Sequence, residues 1–375
     1  MYIITLKPGV DMERHFSSVR GIHEQPLNKR MDNKADNGVL FRYKFSGFHG
    51  YAGHFDETVI DELMASKDVE DIEADQIWTT QSIMSQKNPP PGLKMISWRG
   101  WALVKGNVYR YHSSAGKGTF AYVIDSGIDV LHREFEGRAA NGWSVMGNSS
   151  FEDKDGHGTY VAGIIGSKTF GVAKKCDLIS VKISEGHTTS ASVFLAGFNW
   201  AVNDILAKGR TRKAIINVST SGPRSKPVNK AVDSAFKVGV ALITTAGNEG
   251  RFVAKRSPGS ATSSITVAAT DKWKKRASWS NAGPGTTLFA PGVDIPSTWI
   301  GLNHDFTRTM SGTSAAAPHV AGLAVYFQGM YNYDSKGVKA AILRYATKNL
   351  VLDTKGAPNL FAYNDNDPAT LLANL

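Results

Sequence analysis

The stretch that decides the fold is Phe120-Ala-Tyr-Val-Ile-Asp-Ser-Gly-Ile128, an apolar run that ends in a carboxylate and a turn. Similar apolar runs recur from about residue 93 onwards and alternate with helical patterns. Strands with helices between them predict a mainly parallel sheet covered on both faces, which is a three-layer α/β fold. The ligand crevice of such a sheet lies beyond the carboxyl ends of its strands, and Asp125, Ser219 and Asn248 fall at or just past such ends.

The front of the chain has a different pattern. Its order of strand, helix, strand, strand, helix and strand is typical of a small ferredoxin-like α+β domain. Residues 81–92 contain three consecutive prolines and almost no apolar periodicity, which indicates a linker or an accessible cleavage segment. We therefore predict a first domain at residues 1–85, a linker with a cleavage site at 86–92 and a second domain at 93–375.

Composition and charge argue against several classes of protein. With 42% hydrophobic and 20% charged residues the chain has the composition of a soluble globular protein, and it contains no apolar run long enough to cross a bilayer. Residues 1–90 carry a net charge of −4 and the remainder +14. The basic residues are scattered and no RNA-binding or zinc-finger signature is present, so we interpret them as a solvated surface. We expect neither nucleic acid nor a membrane as a partner.

Three polar residues are candidates for a catalytic triad. Ser314 and His157 each begin a predicted helix, so their ordinary explanations are a helix cap and a polar helix start. Asp125 ends a buried strand, where a carboxylate needs a partner that His157 would supply. In the order Asp, His, Ser they can provide orienting carboxylate, general base and nucleophile. Asp129 and Asp155 are nearby alternatives, which we interpret as a turn and a loop residue.

Asn248 adds a fourth candidate. It follows another predicted buried strand in Thr245-Ala-Gly-Asn-Glu-Gly, and its carboxamide can donate to a developing oxyanion. The ordinary explanation is a turn asparagine. The four residues in this order favour a serine endopeptidase that works through an acyl-enzyme.

With these residues in place, residues 91–363 resemble the subtilisin-like serine proteases, closest to the proteinase K branch. The resemblance is carried by Tyr122-Val-Ile-Asp-Ser-Gly-Ile, Gly156-His-Gly-Thr, Ala246-Gly-Asn, Phe289-Ala-Pro-Gly and Ser311-Gly-Thr-Ser-Ala-Ala-Ala-Pro-His-Val-Ala-Gly. It implies a subtilisin-like fold. It also implies the catalytic roles already considered: nucleophile, base, orienting carboxylate and oxyanion donor, for Ser314, His157, Asp125 and Asn248.

The same resemblance implies a primary specificity pocket with two walls. One wall also pairs with an extended substrate by strand addition, and it consists of Ser219, Thr220, Ser221 and Gly222. The other wall consists of Thr245, Ala246 and Gly247.

Residues 1–85 resemble the propeptide inhibitor domain of this family through Tyr2-Ile-Ile-Thr-Leu-Lys and Phe48-His-Gly-Tyr-Ala-Gly-His-Phe. The resemblance implies a self-processing zymogen that its own propeptide inhibits. We expect the cut between Ser85 and Pro91. Members of this branch are generally exported, so we expect a secreted monomer that acts on protein or peptide substrates, with a leader ahead of the sequence as given.

Several positions depart from the family pattern. Val161 stands where the branch has a cysteine, and Thr220-Ser221 replaces a Leu-Gly wall, which leaves the side-chain preference open. Thr287 stands where the family's calcium-binding carboxylate is expected. We therefore expect no required cofactor and assign no metal-binding residues, while calcium binding stays open as an alternative. The alternative to an active protease is a catalytically inactive protein of the same fold that still binds peptides.

Overall fold

The computed structural model describes residues 1–23, 38–76, 83–100, 107–186 and 188–365. Contacts divide the chain into two units, Met1–Thr80 and Gln81–Leu375.

The first unit is a small α+β domain. Its elements, in chain order, are β1 Tyr2–Leu6, α1 Met12–His23, β2 Val39–Phe45, β3 Phe48–Gly53, α2 Glu57–Met64 and β4 Val69–Ala74. Among its described residues the strands form an antiparallel sheet in the order β2-β3-β1-β4. Ile4, Tyr51, Val59 and Leu63 are buried between the sheet and the helices. The ferredoxin-like prediction is confirmed.

The second unit holds the candidate site. Its helices are α3 Pro91–Ile96, α4 His157–Gly166, α5 Ala191–Ala207, α6 Lys226–Lys237, α7 Thr313–Tyr331 and α8 Ser335–Tyr345. Its strands are β5 Ile83–Lys87, β6 Val108–His112, β7 Phe120–Asp125, β8 Ala139–Ser144, β9 Asp177–Lys182, β10 Ala214–Val218, β11 Gly222–Pro223, β12 Ala241–Thr245, β13 Arg256–Ser257, β14 Ile265–Thr270, β15 Leu288–Pro291, β16 Ile295–Thr298, β17 Thr307–Met310, β18 Thr347–Lys348 and β19 Leu360–Phe361.

A mainly parallel sheet forms the centre of this unit. Its strands, in the described part of the chain, have the order β18-β19-β15-β14-β12-β10-β7-β9-β8, and only the β18–β19 pair is antiparallel. Successive residues of β7 point to opposite faces, so Val123 packs in the core with α4 and α7, while Tyr122 packs in the core with α5 and α6. The predicted three-layer α/β fold is confirmed. Within the described residues no helix is both long and apolar enough to span a membrane.

The segment expected as a linker, residues 86–92, has regular structure at both ends. β5 pairs antiparallel with β6, from Ile83 opposite His112 to Lys87 opposite Val108, and Pro91 begins α3. The prolines misled the prediction, because proline is well tolerated in the first turn of a helix. The unit boundary therefore lies before β5 rather than inside the proline-rich segment.

Candidate active site

Asp125 is the last residue of β7, and its side chain is only 2% exposed. Its Oδ1 accepts hydrogen bonds from the backbone N–H of Ser126 at 2.8 Å and from Nδ1 of His157 at 2.7 Å. An ionised carboxylate can only accept, so Nδ1 carries the proton and Nε2 keeps its lone pair. The bond therefore sets the tautomer that a general base requires.

His157 begins α4 between two glycines that the backbone requires. Gly156 has φ of 91°, in the left-handed region that favours glycine. A Cβ at residue 158 would lie 2.0 Å from the carbonyl oxygen of Gly127. The glycines therefore let the start of the helix approach the turn that follows β7, which brings the imidazole to Asp125.

Asp153 fixes the start of α4 and is not among the residues predicted from the sequence. Its Oδ1 accepts from the hydroxyl of Ser126 at 2.8 Å and from the backbone N–H of Gly156 at 2.9 Å. Its Oδ2 accepts from the backbone N–H of Thr159 at 2.9 Å and from the Thr159 hydroxyl at 2.6 Å. A buried carboxylate with these donors ties the helix start to the turn after β7. Its signal was an aspartate a few residues before a predicted helix start.

Two opposing effects set the pKa of His157. Burial lowers the pKa of this imidazole, but the charge of Asp125 and the hydrogen bond to it raise it, with smaller contributions from Asp155 and Asp153. The net result is a pKa above the usual value of 6.5. The site thus favours the imidazolium that forms when the base takes a proton.

Ser314 is the second residue of α7, and Pro318 stands four residues later inside the helix. A proline has no N–H, so it cannot donate to the carbonyl oxygen four residues before it. The hydroxyl of Ser219 donates to that Ser314 oxygen at 3.3 Å, and Nδ2 of Asn217 in turn donates to the Ser219 hydroxyl at 3.1 Å. The first turn of α7 is therefore tied to the end of β10.

Asn248 is held with its amide nitrogen free. Its Oδ1 accepts from the backbone N–H of Thr313 at 2.9 Å and from the Thr313 hydroxyl at 2.7 Å. A backbone donor fixes which end of the carboxamide is oxygen. Nδ2 has no partner among the described residues. It lies 3.5 Å from the position that a Cβ atom would occupy if residue 312 carried a side chain. This donor is thus available beside Ser314.

A cleft of about 560 Å³ brings these residues together. Asp125, His157, Asn248 and Ser314 all line it. They come from four places in the sequence: the end of β7, the starts of α4 and α7, and the loop after β12. These positions put the cleft beyond the carboxyl ends of β7 and β12, where the sequence predicts a ligand crevice.

Comparison with known proteins identifies two families along the chain. The chain matches the Subtilase family over residues 116–363 and the Peptidase inhibitor I9 family over residues 1–81. The chain belongs to the subtilase family. It is 45% identical over 371 residues to Alkaline protease 1 of Aspergillus flavus, an alignment that covers 97% of this chain and 91% of that one. It is 47% identical over 369 residues to Alkaline protease 1 of Aspergillus clavatus, with coverage of 97% and 90%.

A solved structure extends the similarity to three dimensions. The crystal structure of a cold adapted subtilisin-like serine proteinase aligns with a TM-score of 0.70 and 33% identity, covering 75% of this chain and 100% of the other. This subtilase is therefore a serine endopeptidase made as a zymogen, with an I9 inhibitor segment at its front. The earlier resemblance is confirmed.

Six of the seven residues that the sequence predicts for the pocket of this subtilase line the cleft. They are Ser219, Thr220, Ser221, Gly222, Thr245 and Gly247. Ala246 does not line the cleft, because its side chain is fully buried among the apolar residues around Phe289. Alternate side chains of an extended segment point in opposite directions, which places Ala246 in the core.

The two alternative carboxylates have other partners. Both oxygens of Asp129 lie 2.8 Å from Nδ1 of His304. Asp155 lines the cleft, and its Oδ1 accepts from the backbone N–H of His157 at 3.3 Å. Neither replaces Asp125 beside the imidazole nitrogen.

Thr287 does not supply the carboxylate that a calcium ion prefers. The Thr287 hydroxyl accepts from the backbone N–H of Thr266 at 3.0 Å and donates to the carbonyl oxygen of Ser264 at 3.5 Å. This oxygen is engaged within the sheet, whereas Ca²⁺ prefers several oxygens that include carboxylates. In the described parts of the chain, no group of three or more His, Cys, Asp or Glu side chains could hold a metal ion.

Proposed function

We propose that this subtilase cleaves peptide bonds through an acyl-enzyme on Ser314. His157 Nε2 removes the proton of the Ser314 hydroxyl while the Ser314 oxygen attacks the carbonyl carbon of the peptide bond. The imidazolium then gives that proton to the leaving amine. Asp125 stabilises the imidazolium. Asn248 Nδ2 and the backbone N–H of Ser314 at the positive end of α7 donate to the oxyanion. A water molecule then attacks the acyl group, with His157 again acting as base and acid, and Ser314 is released.

The observation that carries this proposal is the 2.7 Å bond between Asp125 and His157 in the cleft that also holds Ser314. It orients the base, and Nε2 of His157 has no hydrogen-bond partner among the described residues. The unpartnered Nδ2 of Asn248 supports the second half of the proposal, because an oxyanion donor must be unused before the substrate arrives.

The substrate binds as an extended chain along Ser219–Gly222. This wall lies in the cleft just after β10, and of its residues only Gly222 belongs to a described strand, the short β11. A backbone edge of this kind binds peptides by main-chain hydrogen bonds, with side-chain pockets for selection. The pocket between the two walls then receives the side chain before the scissile bond.

Self-processing separates the two units, and we place the cut between Thr80 and Ile83. The sequence predicts a cut between Ser85 and Pro91. A cut in that range would either divide β5 or leave the whole strand on the propeptide, although its five residues pair with β6 inside the second unit. A cut before Ile83 leaves that strand whole with the catalytic unit.

We also propose that the protease works as a secreted monomer on protein or peptide substrates, with its own propeptide as inhibitor and without a required cofactor. We expect it to bind neither nucleic acid nor a membrane. The engaged hydroxyl of Thr287 supports the absence of calcium at that position. Light scattering of the Ser314→Ala chain tests the monomer directly, and a particle twice the chain mass of 40.6 kDa would overturn it.

Labelling with a fluorophosphonate tests the catalytic assignment. The probe is expected to form one adduct, on the peptide that contains Ser314, although several other serines line the cleft, among them Ser126 and Ser221. Ser184→Ala, at another serine that lines the cleft, serves as the control and is expected to label at Ser314. An adduct on another serine, or none on a chain that still binds peptides, would support the inactive binding protein instead.

A further inference from the structure

One arginine joins the two walls of the specificity pocket. Arg256 Nη2 donates to the carbonyl oxygen of Ser221 at 3.0 Å and to its hydroxyl at 3.1 Å, on the first wall. The same nitrogen lies 3.0 Å from Oε1 of Glu249, which follows the second wall by two residues. All three residues line the cleft. A guanidinium that spans both walls closes the pocket with a positive charge.

The backbone holds this arginine in place. β13 pairs antiparallel with β11, with Pro223 opposite Arg256 and Gly222 opposite Ser257. β11 directly continues the wall that starts at Ser219. The position of the guanidinium is thus fixed by the sheet that forms the wall, and its side chain is 24% exposed.

Arg256 has unused donor groups at this end of the pocket. Among the described residues its buried Nε has no partner, and neither has Nη1. Both oxygens of Glu249 are engaged, because Oε1 binds Arg256 and Oε2 accepts from Nδ2 of Asn281 at 2.6 Å. An unpaired guanidinium nitrogen is costly when a substrate displaces water from it, unless the substrate brings an acceptor.

We propose that Arg256 makes this pocket select a carboxylate side chain, glutamate above all, at the substrate residue before the scissile bond. The inference rests on the proposed function and names its substrate class. A glutamate oxygen accepts from the free Nη1 in a charge-assisted hydrogen bond. A lysine meets the positive charge instead, and a leucine leaves the nitrogen unpaired. Glutamate is favoured over aspartate because its extra methylene reaches further toward the closed end.

Glu249 limits this preference. It holds the guanidinium across the pocket, but its negative charge repels an entering carboxylate. Replacing it by glutamine keeps an oxygen that accepts from Arg256 and removes the charge. Glu249→Gln is therefore expected to raise the preference for glutamate.

The test compares four peptides that differ only before the scissile bond, with glutamate, glutamine, leucine or lysine there. Wild type is expected to give a higher kcat/KM for glutamate than for leucine, and higher for leucine than for lysine. Arg256→Leu is expected to lower the glutamate-to-leucine ratio by about ten- to a hundredfold, the size of a lost charge-assisted contact. Arg344→Leu, a change of an exposed arginine on α8, is the matched control and leaves the ratio unchanged.

Fluorophosphonate labelling distinguishes a failure of the proposed function from a failure of the role assigned to Arg256. If wild type fails to label, the proposed function fails. If it labels and cleaves but prefers leucine or lysine, or if Arg256→Leu keeps the wild-type ratio, the assignment of Arg256 is wrong. An unchanged ratio in Glu249→Gln would contradict the limiting role of Glu249.

Discussion

A single oxygen of Asp125 serves two donors, the Ser126 amide and the His157 imidazole. The sequence predicted the pair because a carboxylate at the end of a buried strand needs a partner. It favoured Asp125 over the nearby aspartates but could not show the partner of Asp129, since that partner is distant in sequence. The structure pairs Asp129 with His304.

Asp125→Asn is expected to lower kcat by about 10⁴-fold, the loss known for this change in another serine protease. The asparagine can present its NH₂ group to Nδ1 and so stabilise the wrong tautomer. Asp129→Asn removes a carboxylate of the same turn region and is expected to change kcat by less than about threefold. Initial rates on one peptide check both. A similar loss in the two variants would contradict the assignment.

The pH dependence of kcat/KM reports the pKa of His157. The base works when neutral, and its pKa lies above 6.5, so activity is expected to fall as the pH drops through a midpoint above 6.5. In Asp125→Asn the effects of Asp125 that raise the pKa are lost while burial still lowers it. The acid limb of the residual activity should therefore move to lower pH. A limb that stays in place would exclude His157 as the titrating base.

Asn248→Ala is expected to lower kcat by about 10²- to 10³-fold with little change in KM, the magnitude known for an oxyanion donor of this type in subtilisin. The oxyanion exists only in the transition state, so ground-state binding is spared. Steady-state kinetics on a short peptide measure both constants. A rise in KM at constant kcat would instead make Asn248 a substrate-binding residue.

At the scale of single elements, the start of α4 illustrates what the sequence could and could not give. The sequence predicts the helix that begins at His157. The need for its two flanking glycines comes from the backbone, through a positive φ at Gly156 and the close approach of Gly127 to Gly158. Asp153, which anchors this helix, lies outside the sequence motifs that carry the family resemblance.

Asp153→Asn is expected to lower the free energy of unfolding by about 2–4 kcal/mol, because the new NH₂ group faces donors that lose their acceptor. Asp334→Asn is the matched control at the start of α8, where one oxygen accepts from the Gly337 amide at 2.8 Å and asparagine caps as well as aspartate. Urea unfolding in a Ser314→Ala background avoids self-digestion. Equal midpoints for the two variants would show that Asp153 does not anchor α4.

On the scale of the whole molecule, alternating strands and helices predicted the three-layer sheet, and the rule for parallel strands placed the candidate site at the correct edge. Two features escaped the sequence. The direction of Ala246 depends on the local backbone, and β5 is recognisable only through its pairing with β6. Both are set by contacts distant in sequence, so composition and local pattern could not show them.

The most direct test of an active, self-processing protease is the intact mass of the purified chain over time, beside Ser314→Ala. The wild-type chain of 40.6 kDa is expected to split once, giving a larger fragment that begins between Thr80 and Ile83, while Ser314→Ala keeps its full mass. Equal splitting of both chains, or a wild type that stays whole and takes up no fluorophosphonate, would contradict the account.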